Sequence, residues 1–537
     1  MRVSYLPYSK TNSFSKLVVD FVGESENLKP FIDEFPSKEA ILRQIERKKM
    51  QSIDRKLLQK VFHSQYGAAD LHPGVKTHIE ALAEENTFTI CTAHQPNIFT
   101  GYLYFVYKII HAIKLADVCS ALFPAFKFVP VYYMGSEDND IDEIGTFHYN
   151  NKTYTWNTQQ TGACGRMHTK ELMSIVRELK KTFNEDLPDE KLMINLLEEA
   201  YNGTNTLAEA TRILVNSLFG KYGLLIINAD DILLKEKFKP VMLNELFHQD
   251  SAEIVEETIS RLSSQYKVQA NPRAINLFYL KADLRERIEF KDNSWQVVNT
   301  DISFNEAEIE KEIELHPDRF SPNVILRPLY QESILPNIAF IGGGGELAYW
   351  LELKALFDAH KIVYPLLFLR NSVLWINEKT VAAMEKLSIN IESAFLAKEE
   401  LFKRLINEHE TMKVLGKLTD ELAVVYEAIV GLGNSVSPTL KQSMEAHTAK
   451  AKRVEERMST KFRAQLKGKE EIILNKIEQI KEQIAPNGIL QERHDNFLSI
   501  YKLLGLEMFD ILYKHQQSFG IDFMILEIKD ANQRLYI

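Results

Sequence analysis

Five carboxylates crowd into SEDNDIDEI, residues 136–144: Glu137, Asp138, Asp140, Asp142 and Glu143. Like charges this close repel one another unless a cation or a basic group stands among them. Such a cluster can hold Mg2+ or meet an amino group. Asp138, Asp140 and Asp142 match the opening of an EF-hand loop, but Glu143 and Tyr149 stand where that loop needs Gly and Glu. The stretch directly follows the apolar run FKFVPVYYM (126–134), which favours a site over a solvated acidic loop. Asp230 and Asp231, closing GLLIINADD (223–231), repeat the arrangement more weakly.

Four consecutive glycines, Gly342, Gly343, Gly344 and Gly345, separate IAFI from the helix-like ELAYWLELKALFDAH, which opens with Glu346. No G-x-G-x-x-G register and no P-loop Lys-Ser/Thr accompanies them. A glycine turn at a helix start still offers backbone N–H groups to an anion or a carbonyl. Four glycines also exceed what one tight turn requires. Glu346 itself is neutral on this point, because a carboxylate there favours the helix dipole.

HQPNIFTG (94–101) supplies His94, Gln95 and Asn97 as donors and acceptors, with Thr100 as a cap for the next helix and Gly101 closing the loop. His94 alone reads as a structural histidine; the set reads as a nucleotide or substrate loop. RPLYQESILPN (327–337) brings Arg327, Tyr330 and Gln331. Arg327 is a candidate clamp for carboxylate or phosphate, or an ion-pair partner of a nearby acid. Arg370 and Asn371, after IVYPLLFL (362–369), carry the same two readings. No G-x-S-x-G elbow and no H-E-x-x-H helix occurs, which removes support for serine-hydrolase and zinc-protease chemistry.

Each of these groups stands where a β-type run ends. TFTICTA (87–93) precedes the His94 loop and YLYFVYKIIHAIKLAD (102–117) follows it as a helix. Strands alternating with helices predict an α/β domain with a mostly parallel sheet, whose ligands bind at the carboxyl ends of the strands. Residues 31–85 read as helical, with Ser37 as the N-cap of KEAILRQIERKK. A small β-rich insert is expected around 265–300.

Residues 395–485 change character. Leu440, Met444, Ala451, Val454 and Met458 fall at 4-7-3-4 steps, Phe462 and Leu466 drift as at a stutter, and Ile473, Ile477, Ile480 and Ile484 resume at 4-3-4. The spacing predicts a long antiparallel coiled coil with its hairpin at GLGNSVSP (431–438), ended by Pro486-Asn487-Gly488. FMILEI (523–528) reads as a strand returning to the core.

The net charge of −10 and pI of about 5.9 argue against a nucleic-acid scaffold. Cys91, Cys119 and Cys164 form no CxxC pair and no zinc-ligand spacing, so no zinc is expected and each reads as a small core residue. MRVSYLPYSK lacks a signal-peptide core, and no run of about 18 apolar residues occurs. The expectation is a cytoplasmic protein without membrane or nucleic-acid partners.

CTAHQPNIFTGYLYFVYK, VPVYYMGSEDNDIDEI, LRPLYQESILPNIAFIGGGGELAYWLELK and LQERHDNFLSIYK (490–502) together resemble the bacillithiol biosynthesis cysteine-adding enzyme family, BshC. Gln95, Thr100, Gly101, Glu137, Asp138, Asp140, Asp142 and Glu143 match the family's pattern; His94 and Asn139 depart from it. The resemblance implies a Rossmann-like core related to nucleotidylyltransferases, with a connecting insert and a dimerising coiled coil. It implies a core over 1–385, a coiled-coil domain over 386–488 and a segment returning to the core over 489–537.

It also implies a ligase that joins cysteine to the amine of glucosaminyl-malate. Amide formation needs an activated carboxyl, so ATP or another nucleotide with Mg2+ is the expected cofactor. Glu137, Asp138 and Asp140 are the expected catalytic carboxylates. Lys108 and Arg327 would neutralise phosphate or malate charge. The other readings are a nucleotide-binding assembly protein built on the coiled coil, and a nucleotidylyltransferase acting on another substrate.

Overall fold

The apolar runs form the strands that frame the molecule. A computed structural model describes residues 1–67, 71–468, 471–520 and 522–528. The framing strands are β1 (Arg2–Pro7), β2 (Thr87–His94), β3 (Lys127–Met134), β4 (Leu225–Asn228), β5 (Asn337–Gly342), β6 (Leu366–Leu369), β7 (Val373–Asn377) and β8 (Asp522–Ile528). Strands β2 to β6 build an all-parallel sheet in the order β6-β5-β2-β3-β4. A parallel sheet covered on both faces needs continuous apolar strands rather than alternating ones. Accordingly Val129, Val131 and Tyr133 enter one core layer, and Tyr132 and Met134 the other.

The register aligns the carboxyl ends: His94 lies beside Met134, Met134 beside Asn228, and Gly342 beside Leu369. From β2 the chain moves through β3 to β4, then returns to β5 and β6 on the other side of β2. The order therefore reverses between β2 and β5, and a crevice is expected above that point.

Helix α1 (Leu103–Leu122) follows β2 and is buried around most of its circumference, as a core helix must be. Helices α2 (Ile232–Phe247), α3 (Arg327–Ile334) and α4 (Gly344–Leu351) flank the other strand ends. Ser37 caps its helix by accepting the Ala40 N–H at 3.0 Å. Thr100 does not cap α1. The N-cap is Tyr102, and the buried Thr100 hydroxyl has no partner among the described residues. The chain turns through positive φ at Phe99 (50°), Thr100 (67°) and Gly101 (66°), which sets Thr100 back from the helix start.

Two further sheets adjoin the core. Leu277–Lys281, Leu284–Lys291, Ser294–Val297, Ser303–Phe304 and Phe320–Pro322 form an antiparallel sheet. Strand β8 pairs antiparallel with β1 and parallel with β7, so FMILEI does return as a strand.

Helices α5 (Glu410–Val436) and α6 (Pro438–Gly468) form the hairpin, and α7 (Glu471–Ile484) leads back. The turn is narrower than GLGNSVSP. Residues 431–436 stay helical, and Ser437 alone breaks the helix, accepting the Leu440 N–H at 3.2 Å ahead of Pro438 at the first helical position. Gly433 permits this, because a Cβ there would stand 3.0 Å from Met444 Cγ.

The heptad positions have different fates. Met444 and Ala451 are half-buried, whereas Leu440, Val454, Met458 and Phe462 are exposed. On α5, Leu418, Leu422, Val425, Ile429, Leu432 and Val436 form an exposed stripe at the 4-3-4-3-4 spacing typical of an unfilled seam. Ile477, Ile480 and Ile484 are instead buried against Leu401, Phe402 and Ile406. Among the described residues no helix is long and apolar enough to cross a membrane.

Candidate active site

A cavity of about 420 Å³ opens over the β2/β5 reversal point. The strand ends deliver most of its wall: His94 and Gln95 from β2, Glu137, Asp138 and Glu143 after β3, Ala229 after β4, Gly343, Gly345 and Glu346 after β5, and Arg370 after β6. Tyr104 and Lys108 reach it from α1 and Arg327 from α3. Arg285 comes from the antiparallel sheet and Arg493 from the segment before the last helices.

One wall is acidic, and basic and amide groups stand among its carboxylates. Glu137 is paired with the fully buried Lys235 of α2, which also donates to the Phe320 carbonyl. Burial pushes the Glu137 carboxyl above its ordinary value; Lys235 and Arg285 pull the other way, and nearby Asp230 adds to the rise. Asp138 accepts from Gln95 Nε2 at 2.8 Å and stands 3.5 Å from Arg285. Asp230 is held by Arg166 in a two-pronged pair at 2.7 Å for each bond. Burial, followed by Asp138 and Asp140, raises the Glu143 carboxyl as well. Among the described residues no group of three acidic, His or Cys side chains gathers into a metal site. The cluster thus does not fit Mg2+, because its partners are lysine, arginine and amide groups.

The facing wall is basic. Lys108 donates to the Ala93 carbonyl at 3.0 Å and pairs with Glu346. Arg370 makes a two-pronged pair with Glu492 at 2.7 and 2.8 Å, both side chains being buried. Arg327 donates to Gln331 and to the Tyr349 hydroxyl, each at 3.0 Å. His94 lies between Tyr104 and Phe105; burial first, then Lys108 and Arg370, hold it well below its usual pKa and therefore neutral. Its Nε2 is buried without a partner among the described residues.

The glycines divide their duties. Gly343 and Gly345 line the cavity, and a Cβ at Gly345 would meet nothing within 4 Å. Gly342 and Gly344 face packing instead: a Cβ would stand 2.9 Å from the Phe340 ring or 2.6 Å from Val18. The N-cap amide ahead of α4 is already used, since Gly343 N–H donates to Glu346 at 2.8 Å. The protein's own carboxylate occupies that part of the anion nest.

Several sequence-predicted residues lie outside the cavity wall. Asp140 caps the short helix Ile141–Ile144 by accepting the Glu143 N–H at 3.1 Å, and Asp142 is exposed beside it. Asn97 donates to the Glu143 carbonyl at 3.4 Å and packs against Gly101. Tyr330 donates to the Ala229 carbonyl, Gln331 to Glu332, and Asn371 is tied to Gln517. Asn97, Tyr330, Gln331 and Asn371 are thus spent on neighbouring backbone and side chains. Sequence reasoning missed Tyr104, Arg285, Arg493 and Lys235. Tyr104 and Arg493 carried a signal, because they lie inside CTAHQPNIFTGYLYFVYK and LQERHDNFLSIYK.

A parallel α/β core with an acidic and a basic wall at its reversal point is the architecture of a Rossmann-like enzyme. The N-terminal Rossmann-like domain of bacillithiol biosynthesis BshC matches residues 1–371, and the C-terminal coiled-coil domain of the same family matches residues 373–528. The chain belongs to the BshC family. Similar proteins described as "Putative cysteine ligase BshC" occur in Flavobacterium psychrophilum, at 39% identity over 98% of this chain and 100% of the relative, and in Flavobacterium johnsoniae, at 37% over 98% and 100%. The relative of that description in Christiangramia forsetii is 36% identical, over 98% and 99%.

Proposed function

We propose that this chain is a cytoplasmic cysteine ligase of bacillithiol synthesis, forming an amide between the cysteine carboxyl and the amine of glucosaminyl-malate. The observation that carries the reading is the opposition of the two cavity walls. The acidic wall, Glu137, Asp138 and Glu143, suits the ammonium group of cysteine and the incoming amine. The basic wall, Lys108, Arg327, Arg370 and Arg493, suits carboxylates and phosphates.

A nucleotide fits that basic wall, with Lys108 and Arg327 as its holders; when bound, ATP supplies the activation that makes the carboxyl reactive. Glu137 then takes the proton that the amine loses as it attacks. Its raised pKa makes it a better base than an ordinary carboxylate, and Lys235 keeps it aimed. Incubation of the protein with cysteine, glucosaminyl-malate, ATP and Mg2+ is expected to yield the amide by mass spectrometry, with release of AMP or ADP. Absence of product from folded protein that binds both small molecules would refute ATP as the energy source.

The same reading makes the chain a homodimer through the hairpin. The unfilled stripe on α5 needs a partner, and a second copy offers a matching one. Leu422→Lys combined with Ile429→Lys is expected to convert a dimer to a monomer in light scattering after size exclusion, without unfolding the core. A wild-type monomer at micromolar concentration would contradict the dimer.

A further inference from the structure

Two guanidiniums of the cavity wall, Arg327 and Arg493, pair with no carboxylate among the described residues, and Arg327 is already held by Gln331 and the Tyr349 hydroxyl. Lys108 is paired with Glu346, Arg370 with Glu492, and Arg285 stands near Asp138. Arg493 is exposed, and among the described residues its side chain meets no acid; it lies 5.8 Å from the ring of Tyr104. That ring also lies 5.2 Å from the Arg370 guanidinium and 5.8 Å from Lys108 Nζ. An aromatic face attracts cations, and Arg493, unlike Lys108 and Arg370, has no carboxylate partner beside this ring among the described residues.

The position of Arg493 is fixed from its own segment. Leu103 N–H donates to the Asp495 carbonyl at 2.8 Å, and Asn496 Nδ2 donates to the carbonyls of Phe99, at 2.9 Å, and Gly101. The segment thus grips the loop between β2 and α1, and carries Arg493 with it to the cavity.

We propose that Arg493, seated on Tyr104, receives the anionic group of the incoming ligand, a carboxylate or a phosphate, at the solvent side of the cavity. This rests on the ligase reading and adds the residue that selects the ligand. A guanidinium presents a planar fork to either oxyanion, whereas a lysine offers only a point charge.

The test uses the full chain with Arg493→Gln and Arg493→Lys. KM and kcat are measured for glucosaminyl-malate and for ATP, and calorimetry follows binding of L-malate and of ATP as separate probes. Arg493→Gln is expected to raise the KM for one anionic substrate by about tenfold or more with kcat nearly unchanged, and Arg493→Lys to recover part of the loss. Loss confined to glucosaminyl-malate and L-malate identifies a carboxylate; loss confined to ATP identifies a phosphate. Unchanged KM and unchanged affinity for both probes in Arg493→Gln overturns the proposal even if wild type makes product. Wild type that makes no product with ATP, yet binds a probe that Arg493→Gln no longer binds, refutes ATP as the energy source and leaves this proposal standing. Wild type that binds neither probe overturns this proposal.

Discussion

Glu137→Gln is expected to lower the rate of amide formation by about a hundredfold or more, the usual cost of losing a positioned base. The fold should survive, because glutamine still offers an oxygen to Lys235, which also keeps its bond to the Phe320 carbonyl. Circular dichroism and the melting temperature check that point. The pH dependence supplies a second readout. A base must be deprotonated, and burial places the Glu137 carboxyl above its ordinary value of 4.5, so the acid limb of kcat/KM should lie above that value. Lys235 pulls the carboxyl down. Lys235→Met therefore removes a lowering influence and should move the acid limb to higher pH. An acid limb that stays put in Lys235→Met, or an active Glu137→Gln enzyme, would remove Glu137 from the role of base.

Arg370→Met should produce the largest loss of stability. Its partner Glu492 would be left as a buried, unpaired charge, at a cost of about 3–5 kcal/mol. Glu492→Leu should be comparably damaging by stranding the guanidinium, which also donates to the Asn371 carbonyl and Ser372. The double variant Arg370→Met/Glu492→Leu should melt higher than either single one, because both desolvated charges are gone. Its catalytic rate should remain low, since the basic wall has lost a member. If the double variant melts at the temperature expected from adding the two single losses, the pair is not coupled as its geometry demands.

The sheet was legible because strands buried on both faces must be apolar throughout. TFTICTA, FKFVPVYYM, GLLIIN, IAFIG and the last part of IVYPLLFL all became parallel strands. Polar residues directly after such strands were legible as cavity wall for the same geometric reason, which is how His94, Gln95, Glu137, Asp138 and Arg370 were found. Asp140 and Asp142 show the limit of that reasoning: one step further along the chain, a carboxylate caps a helix or faces solvent. Arg285 and Lys235 were illegible because each arrives from an element whose approach to the cavity depends on tertiary packing. Within GGGG no spacing distinguishes Gly345, open to the cavity, from Gly344, pressed against Val18. In the coiled coil the 4-3 rhythm was plain, but rhythm does not reveal that one seam is filled by the neighbouring helix and another is left exposed.

The pairing of β8 between β1 and β7 bears on how the enzyme comes into being. Every strand of the parallel sheet has left the ribosome once residue 369 is clear of the exit tunnel, and that layer can begin to collapse. Among the described residues the strand neighbour of β1 is β8, synthesised far later, and Arg370 waits for Glu492. A nascent chain stalled within the hairpin would thus hold a half-built cleft with a bare guanidinium and a loose first strand. The pairing of β1 with β8, and of Arg370 with Glu492, therefore has to follow synthesis of the hairpin that lies between them.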